Sequence, residues 1–247
     1  MKKVIGAVIT GALFAALIVL LKIYDVAAIG PMGTEIGFSH FNQFVHELTG
    51  VNMLWYDITD YIGYAAIGVC ALFAVVGFVQ MVKRRSLIKV DKEILALGGL
   101  FVVVIGCYVF FEKYIINYRP IIMPGEDMPE ASFPSSHTML IMTVFIAVMI
   151  ISDRYVNKGL GALVRFACFL IVLVTVGGRL YCGVHWFTDI IGGILLSATL
   201  LLLFSAVVSS ASKKHREADL AFEAAGRTDH PKKTGGSETI NGYKPKH

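Results

Sequence analysis

Apolar residues gather along this chain in six long runs, at about residues 4–21, 61–82, 94–111, 138–152, 160–178 and 190–210, separated by shorter polar segments. A bilayer-crossing helix needs about 20 apolar residues, and each run reaches that length alone or with its borders. Buried helices of a soluble domain usually keep a polar face, and these runs do not. The pattern predicts an all-α membrane protein, a bundle of six transmembrane helices. Between the first two runs, Phe38, Phe41, Val45 and Leu48 recur at helical spacing opposite Ser39, Asn42, Gln43 and His46. That periodicity predicts a short amphipathic helix on the membrane surface. His40, His46 and Glu47 there read as solvated interfacial residues, because the histidines lack the four-residue spacing that shares a helical face. From about Ala211 the chain turns polar, with Gly226, Pro231, Gly235-Gly236-Ser237 and a basic end, which predicts a disordered tail. The organisation is a first span at 1–24, a loop with the interfacial helix at 25–60, a five-span core at 61–210 and a tail at 211–247.

The first run has a basic start, Lys2-Lys3, and Val26-Ala27-Ala28 would pass as a cleavage site. It is longer than a signal-peptide core of about 7–15 residues, so it reads as a retained span.

Composition agrees: the 247 residues are 56% hydrophobic with a mean hydropathy of +0.69. A net charge of +4 points to no nucleic-acid partner. Cys70, Cys107, Cys168 and Cys182 form no CxxC pair, which argues against both a metal cluster and a disulfide framework. The distribution of charge says more than its total. Lys2-Lys3, Lys83-Arg84-Arg85 with Lys89 and Lys92, Arg154 with Lys158, and Lys213-Lys214 with Arg216 all fall on one side of a six-span chain. Cytoplasmic loops are enriched in such residues. The expectation is a multi-pass cell-membrane protein with both termini cytoplasmic. Trp55, Tyr56, Tyr61, Tyr114, Tyr118, Tyr181 and Trp186 gather on the outer side, where aromatic rings favour the headgroup zone; most of them read as anchors.

Three polar clusters at the ends of apolar runs carry the candidate chemistry: Arg119-Pro120, Pro134-Ser135-Ser136-His137, and Arg179 with His185 and Asp189. On the charge-derived topology all three face outside. His185 and Asp189 are four apart at the start of the sixth span, so on a helix they share a face. A carboxylate one turn away can fix an imidazole tautomer and stabilise its developing charge. A neutral imidazole is a nucleophile that an anionic phosphate repels less than it repels a carboxylate, and a covalent intermediate divides one hard displacement into two. His137, whose ordinary pKa lies near neutrality, suits protonation of the leaving oxygen and then deprotonation of water. Ser135 and Ser136 precede the helix it starts, where free amide N–H groups favour an anion. Arg119 and Arg179 offer planar forks for phosphate oxygens.

These residues resemble the three signature motifs of the type 2 phosphatidic acid phosphatase family, which shares its site with vanadium haloperoxidases. The third motif matches in spacing: Arg179, five residues, His185, three residues, Asp189. The second, ordinarily Pro-Ser-Gly-His, has Ser136 in place of glycine. The first ordinarily has a lysine, six residues, then Arg-Pro; here Glu112 holds the lysine position and Lys113 comes one residue late. The resemblance covers about 94–203 and implies a lipid phosphatase that forms a phosphohistidine, with His185, His137 and Asp189 catalytic. Arg119, Arg179, Ser135, Ser136 and Lys113 would then bind phosphate. Lys113 either reaches the phosphate from a distorted helix end or is an interfacial lysine. Glu112 is expected to face elsewhere or to pair with Lys113 or Arg119. Glu126, Asp127 and Glu130 read as solvated loop acids, and the mechanism calls for no metal or cofactor. The implied partner is a phosphorylated lipid: a polyprenyl diphosphate such as the undecaprenyl carrier, which an outward site slightly favours, or phosphatidate or phosphatidylglycerophosphate. Oligomeric state is not legible. Two other classes stay open, a non-catalytic lipid-phosphate-binding membrane protein and a vanadium haloperoxidase, although six spans argue against the latter.

Overall fold

The structure, a computed structural model, describes residues 1–228, with side chains to Ala211. Among these residues there are seven α-helices: α1 Lys2–Ile23, α2 Ser39–Thr49, α3 Met53–Arg84, α4 Lys92–Lys113, α5 Ser136–Tyr155, α6 Lys158–Tyr181 and α7 Phe187–Thr228. Two isolated antiparallel bridges, Ala27 with Ile36 and Tyr118 with Ala131, are the extended pairing among them. Every helix but α2 is long and apolar enough to cross a membrane, α7 through its stretch Phe187–Ala211. Contacts divide the chain into a unit Met1–Ser209 and a unit beginning at Ser210. Part of the segment expected to be a disordered tail is helical, because α7 runs to Thr228; the rest of it, 229–247, lies outside the described residues.

α5 is the hub of the bundle. Its Ala147 and Ile151 pack with Leu97 and Leu100 of α4 and Leu201 and Phe204 of α7. On another face Ile141, Val144 and Phe145 pack with Ala66 of α3 and Cys168 of α6. α1, α3 and α6 turn large apolar residues outward, among them Val8, Val75, Phe78, Leu163 and Phe169. In lipid, helices associate through close packing of small residues and through hydrogen bonds. α1 meets α7 in that way: Gly6 lies under Leu202, and Thr199 Oγ1 donates to Thr10 Oγ1 at 2.8 Å. At the basic end of the bundle two ion pairs form, Arg84 with Asp91 and Arg154 with the buried Glu93, each at 2.8 Å.

Two elements depart from expectation in ways that matter for the site. The loop expected to run to residue 60 ends at Asn52, whose side chain accepts the Trp55 N–H at 3.2 Å and starts α3 eight residues before the apolar run. An asparagine there satisfies a free N–H of the first turn, so Tyr56 and Asp60 are helical. α2 forms as expected, with Phe41, Phe44 and Leu48 exposed and Ser39 and Asn42 buried. Exposed Phe41, Phe44 and Leu48 suit a helix lying in the membrane interface, with Gln43 and Glu47 exposed as well.

Candidate functional site

The segment between α4 and α5 folds back on itself. Arg119 N–H donates to Glu130 O at 3.0 Å and Ser132 N–H to Asn117 O at 2.9 Å, around the Tyr118–Ala131 bridge. This brings Arg119 back beside the Pro134–His137 turn. That turn is fixed from two sides. The Ser135 side chain accepts the Thr138 N–H as the N-cap of α5, and the Ser135 N–H donates to Asp189 O at 3.0 Å. Gly193 of α7 makes the approach possible: a Cβ there would stand 3.0 Å from Ser135 O and from Thr138 Cβ. Ser136, in the place of the family's glycine, is the first residue of α5 and is not among the positive-φ residues, so it carries no backbone strain.

His137 and Arg179 meet on α3. His137 Nε2 lies 2.8 Å from Asp60 Oδ1, and Arg179 Nη2 lies 3.5 Å from the same oxygen. Arg179 is fully buried, and its guanidinium carbon stands 4.9 Å above the centre of the Tyr56 ring. Tyr56 is therefore more than an interfacial anchor. Trp186 is buried as well, its indole N–H donating to Tyr118 O at 2.8 Å.

His185 does not lie on a helix with Asp189, as the spacing suggested. It sits in the turn before α7, and Asp189 is in that helix's first turn. His185 Nδ1 is 3.8 Å from Asp189 Oδ2, beyond hydrogen-bond reach. The carboxylate is held instead by the Trp186 N–H at 2.9 Å and by Asn117 Nδ2 at 3.2 Å. Burial, then the nearby charges of Arg119 and Arg179, push the His185 pKa well below the ordinary imidazole range. The ring is thereby kept neutral.

A cavity of about 750 Å³ opens on the flank of the bundle between α3 and α4. Its apolar lining includes Ile67, Val104, Ile105 and Leu140, and its polar lining includes Asp60, Arg119, Ser136 and His137. A second, much smaller recess against the same wall is lined by Ser136 and His185. Glu112 lines both, and so does not face away from the site but shares the cavity with Arg119, one of the two partners expected of it, whereas Lys113 is exposed at the end of α4 and lines neither. The structure thus gathers Arg119, Ser135, Ser136, His137, Arg179, His185 and Asp189 and leaves Lys113 outside. Glu130, expected to be a solvated loop acid, has Oε2 2.9 Å from Arg119 Nε and lines the cavity. His40, expected to be solvated, is highly exposed but tied through Nδ1 to Asp25 Oδ1 at 2.6 Å. Among the described residues no group of three or more His, Cys, Asp or Glu is placed to hold a metal ion.

Sequence reasoning missed Asp60. The signal available was a carboxylate at the border of an apolar run, where ionisable groups are costly and rarely idle. It also missed Asn42, which ties α2 to the start of α7: Asn42 Nδ2 donates to Thr188 Oγ1 at 2.9 Å, and its Oδ1 accepts the Thr188 N–H at 3.2 Å.

Comparison with known proteins places this geometry. Residues 93–213 match the PAP2 superfamily. The fold is similar to that of a transmembrane PAP2-type phosphatidylglycerolphosphate phosphatase from Bacillus subtilis known from its crystal structure. The TM-score is 0.60 and the identity 17%, over 83% of this chain and 96% of that one. No curated protein matches the sequence. Residues 93–213 thus match the PAP2 superfamily and the chain has the fold of a membrane lipid phosphatase, which together support a phosphoric ester hydrolase.

Proposed function

We propose that the protein hydrolyses a lipid phosphate or diphosphate through a phosphohistidine on His185. One observation carries this reading. Arg119 Nη1, Arg179 Nε and Nη1, and His137 Nδ1 are buried without a hydrogen-bond partner in the protein, beside a His185 ring whose own nitrogens are equally unpartnered. Leaving a buried donor unpaired costs about 1–3 kcal/mol, more when it is charged. So many in one place fit an anion with several acceptor oxygens, as a phosphoryl group has. The apolar flank of the cavity between α3 and α4 then suits the acyl or prenyl chain of a lipid whose headgroup reaches inward.

The chemistry follows from the placement. Nδ1 of His185 faces Asp189, so Nε2 attacks phosphorus. A bond forms from Nε2 to phosphorus, the P–O bond of the ester, or of the anhydride in a diphosphate, breaks, and the lipid or lipid-phosphate oxygen leaves, with a proton from His137 where it needs one. In the second step a water oxygen bonds to phosphorus, the N–P bond breaks, and the water proton passes to His137. Arg119 and Arg179 hold the equatorial oxygens on which charge spreads. The free amides at the start of α5, beside Ser135 and Ser136, complete the cradle. The substrate class is a polyprenyl diphosphate or a glycerolipid phosphate, presented from the outer leaflet.

Phosphate release by the purified protein from undecaprenyl diphosphate, phosphatidate and phosphatidylglycerophosphate tests the reading. His185→Ala should give neither turnover nor phosphoprotein. Robust hydrolysis by that variant would overturn the mechanism, and binding without release by the wild type would mark a non-catalytic protein.

A further inference from the structure

We infer that Asp60 of α3 is a positioning residue for the acid-base histidine. Its carboxylate holds Nε2 of His137, which leaves Nδ1 to exchange protons with substrate and water. Asp60 belongs to none of the three motifs and lies before residues 93–213, which match the superfamily. The inference rests on His137 being the acid and base of the reaction.

Three observations carry it. His137 Nε2 and Asp60 Oδ1 are 2.8 Å apart, a charge-assisted bond when the ring is protonated. His137 Nδ1 is buried and has no partner in the protein, so only one ring nitrogen is committed. Gly63, nearly one turn beyond Asp60, lets the ring lie against α3: a Cβ there would stand 3.0 Å from His137 Cδ2 and 3.1 Å from Nε2. A carboxylate and a bare backbone patch on adjacent turns of one helix together fix both the charge and the plane of the imidazole.

Because Asp60 Oδ1 also stands 3.5 Å from Arg179 Nη2, the one carboxylate holds His137 and Arg179 in register. When His137 gives up the Nδ1 proton, the bond from Nε2 to Asp60 keeps the neutral ring in the tautomer whose Nδ1 lone pair can next accept a proton from water. The same contact therefore serves both half-reactions.

p-Nitrophenyl phosphate separates this role from plain support of the fold, because nitrophenolate leaves without a proton. With enzyme in excess, Asp60→Asn should release nitrophenolate at a rate within about threefold of wild type. Phosphoprotein should then accumulate, since water is no longer activated, and steady turnover should fall by at least about tenfold, a part of the range for general acid-base catalysis. Single-turnover cleavage of phosphatidate, whose alkoxide needs the proton, should fall by a similar factor. KM should not rise, because the substitution removes a negative charge beside an anion site. Gly63→Ala, which moves the ring and keeps the carboxylate, should give the same signature and so covers an Asp60→Asn protein that fails to fold. Equal losses on the two substrates, or wild-type turnover, would overturn the role of Asp60. His137→Asn is the control for the underlying reading. If it shows the leaving-group signature and neither Asp60→Asn nor Gly63→Ala does, the inference alone fails. If none of the three shows it, the assignment of His137 fails with it.

Discussion

Glu112 puts a carboxylate on the cavity wall where the family's first motif has lysine, and the displaced Lys113 points out of the bundle. One residue of offset on a helix is about 100° of rotation, and α4 stays regular to Lys113, so the offset is not absorbed by distortion. Lys113→Ala should therefore keep kcat/KM within about twofold of wild type, a change of about 0.4 kcal/mol. Arg119→Ala should lose about 10–150-fold, the worth of one charge-assisted hydrogen bond of about 1.5–3 kcal/mol. A tenfold loss in Lys113→Ala would restore that lysine to the phosphate site. Arg119 also bears on His185: in the proposed mechanism that ring attacks only when neutral, and a lowered pKa keeps it neutral to lower pH. Phosphoenzyme formation from p-nitrophenyl phosphate should therefore stay level as pH falls from about 7.5 to about 5.5, through the ordinary histidine range. Arg119→Ala removes one of the cations that hold the pKa down, so its acid limb should move upward. A wild-type limb centred near pH 6.5 would contradict the burial argument. The histidines and arginines were legible because their spacing is tied to the chemistry. Asp60 was not, because its significance depends on where α3 packs against α5 and α6.

Helix borders were the weaker part of the reading, and for a physical reason: hydropathy marks where lipid begins and says nothing of where hydrogen bonding does. α3 starts at Met53 because Asn52 caps it, while the residues before Tyr61 are mixed in polarity. α2, by contrast, was legible from its period, and its buried side is bonded to the start of α7. Asn42 makes two bonds to Thr188, the residue before Asp189, so the interfacial helix holds the turn that carries the candidate nucleophile. Asn42→Ala leaves the Thr188 N–H and hydroxyl without those partners in a buried setting. It should destabilise the protein by about 1–3 kcal/mol and lower kcat, read from thermal unfolding in detergent and from phosphate release. Gln43→Ala, on the exposed side one residue along, should do neither. If both variants behave like wild type, α2 rests on the membrane without supporting the site.

At the scale of the whole molecule, the six-span all-helical bundle followed from apolar run length alone, because a bilayer accepts few other backbones. Its sidedness rests on charge. The site is built from the C-terminal ends of α4 and α6 and the N-terminal ends of α3, α5 and α7, which an alternating chain brings to one side. Lys2, Arg84, Lys92, Arg154 and Lys158 mark the opposite helix ends. On the positive-inside rule the expected side of the site is the outer one. The flank cavity gives that orientation a consequence, since a lipid that enters between α3 and α4 with its headgroup at the site must come from the leaflet the site faces. Single cysteines in a protein freed of Cys70, Cys107, Cys168 and Cys182 test this directly. A cysteine at the exposed Asp127, on the site side, should react with a membrane-impermeant thiol reagent in intact cells, and one at Ser86, beyond the end of α3, should react only after the membrane is opened. The reverse pattern would turn the molecule over. The substrate would then come from the cytoplasmic leaflet, and the reason for preferring a carrier lipid released outside the cell would be gone.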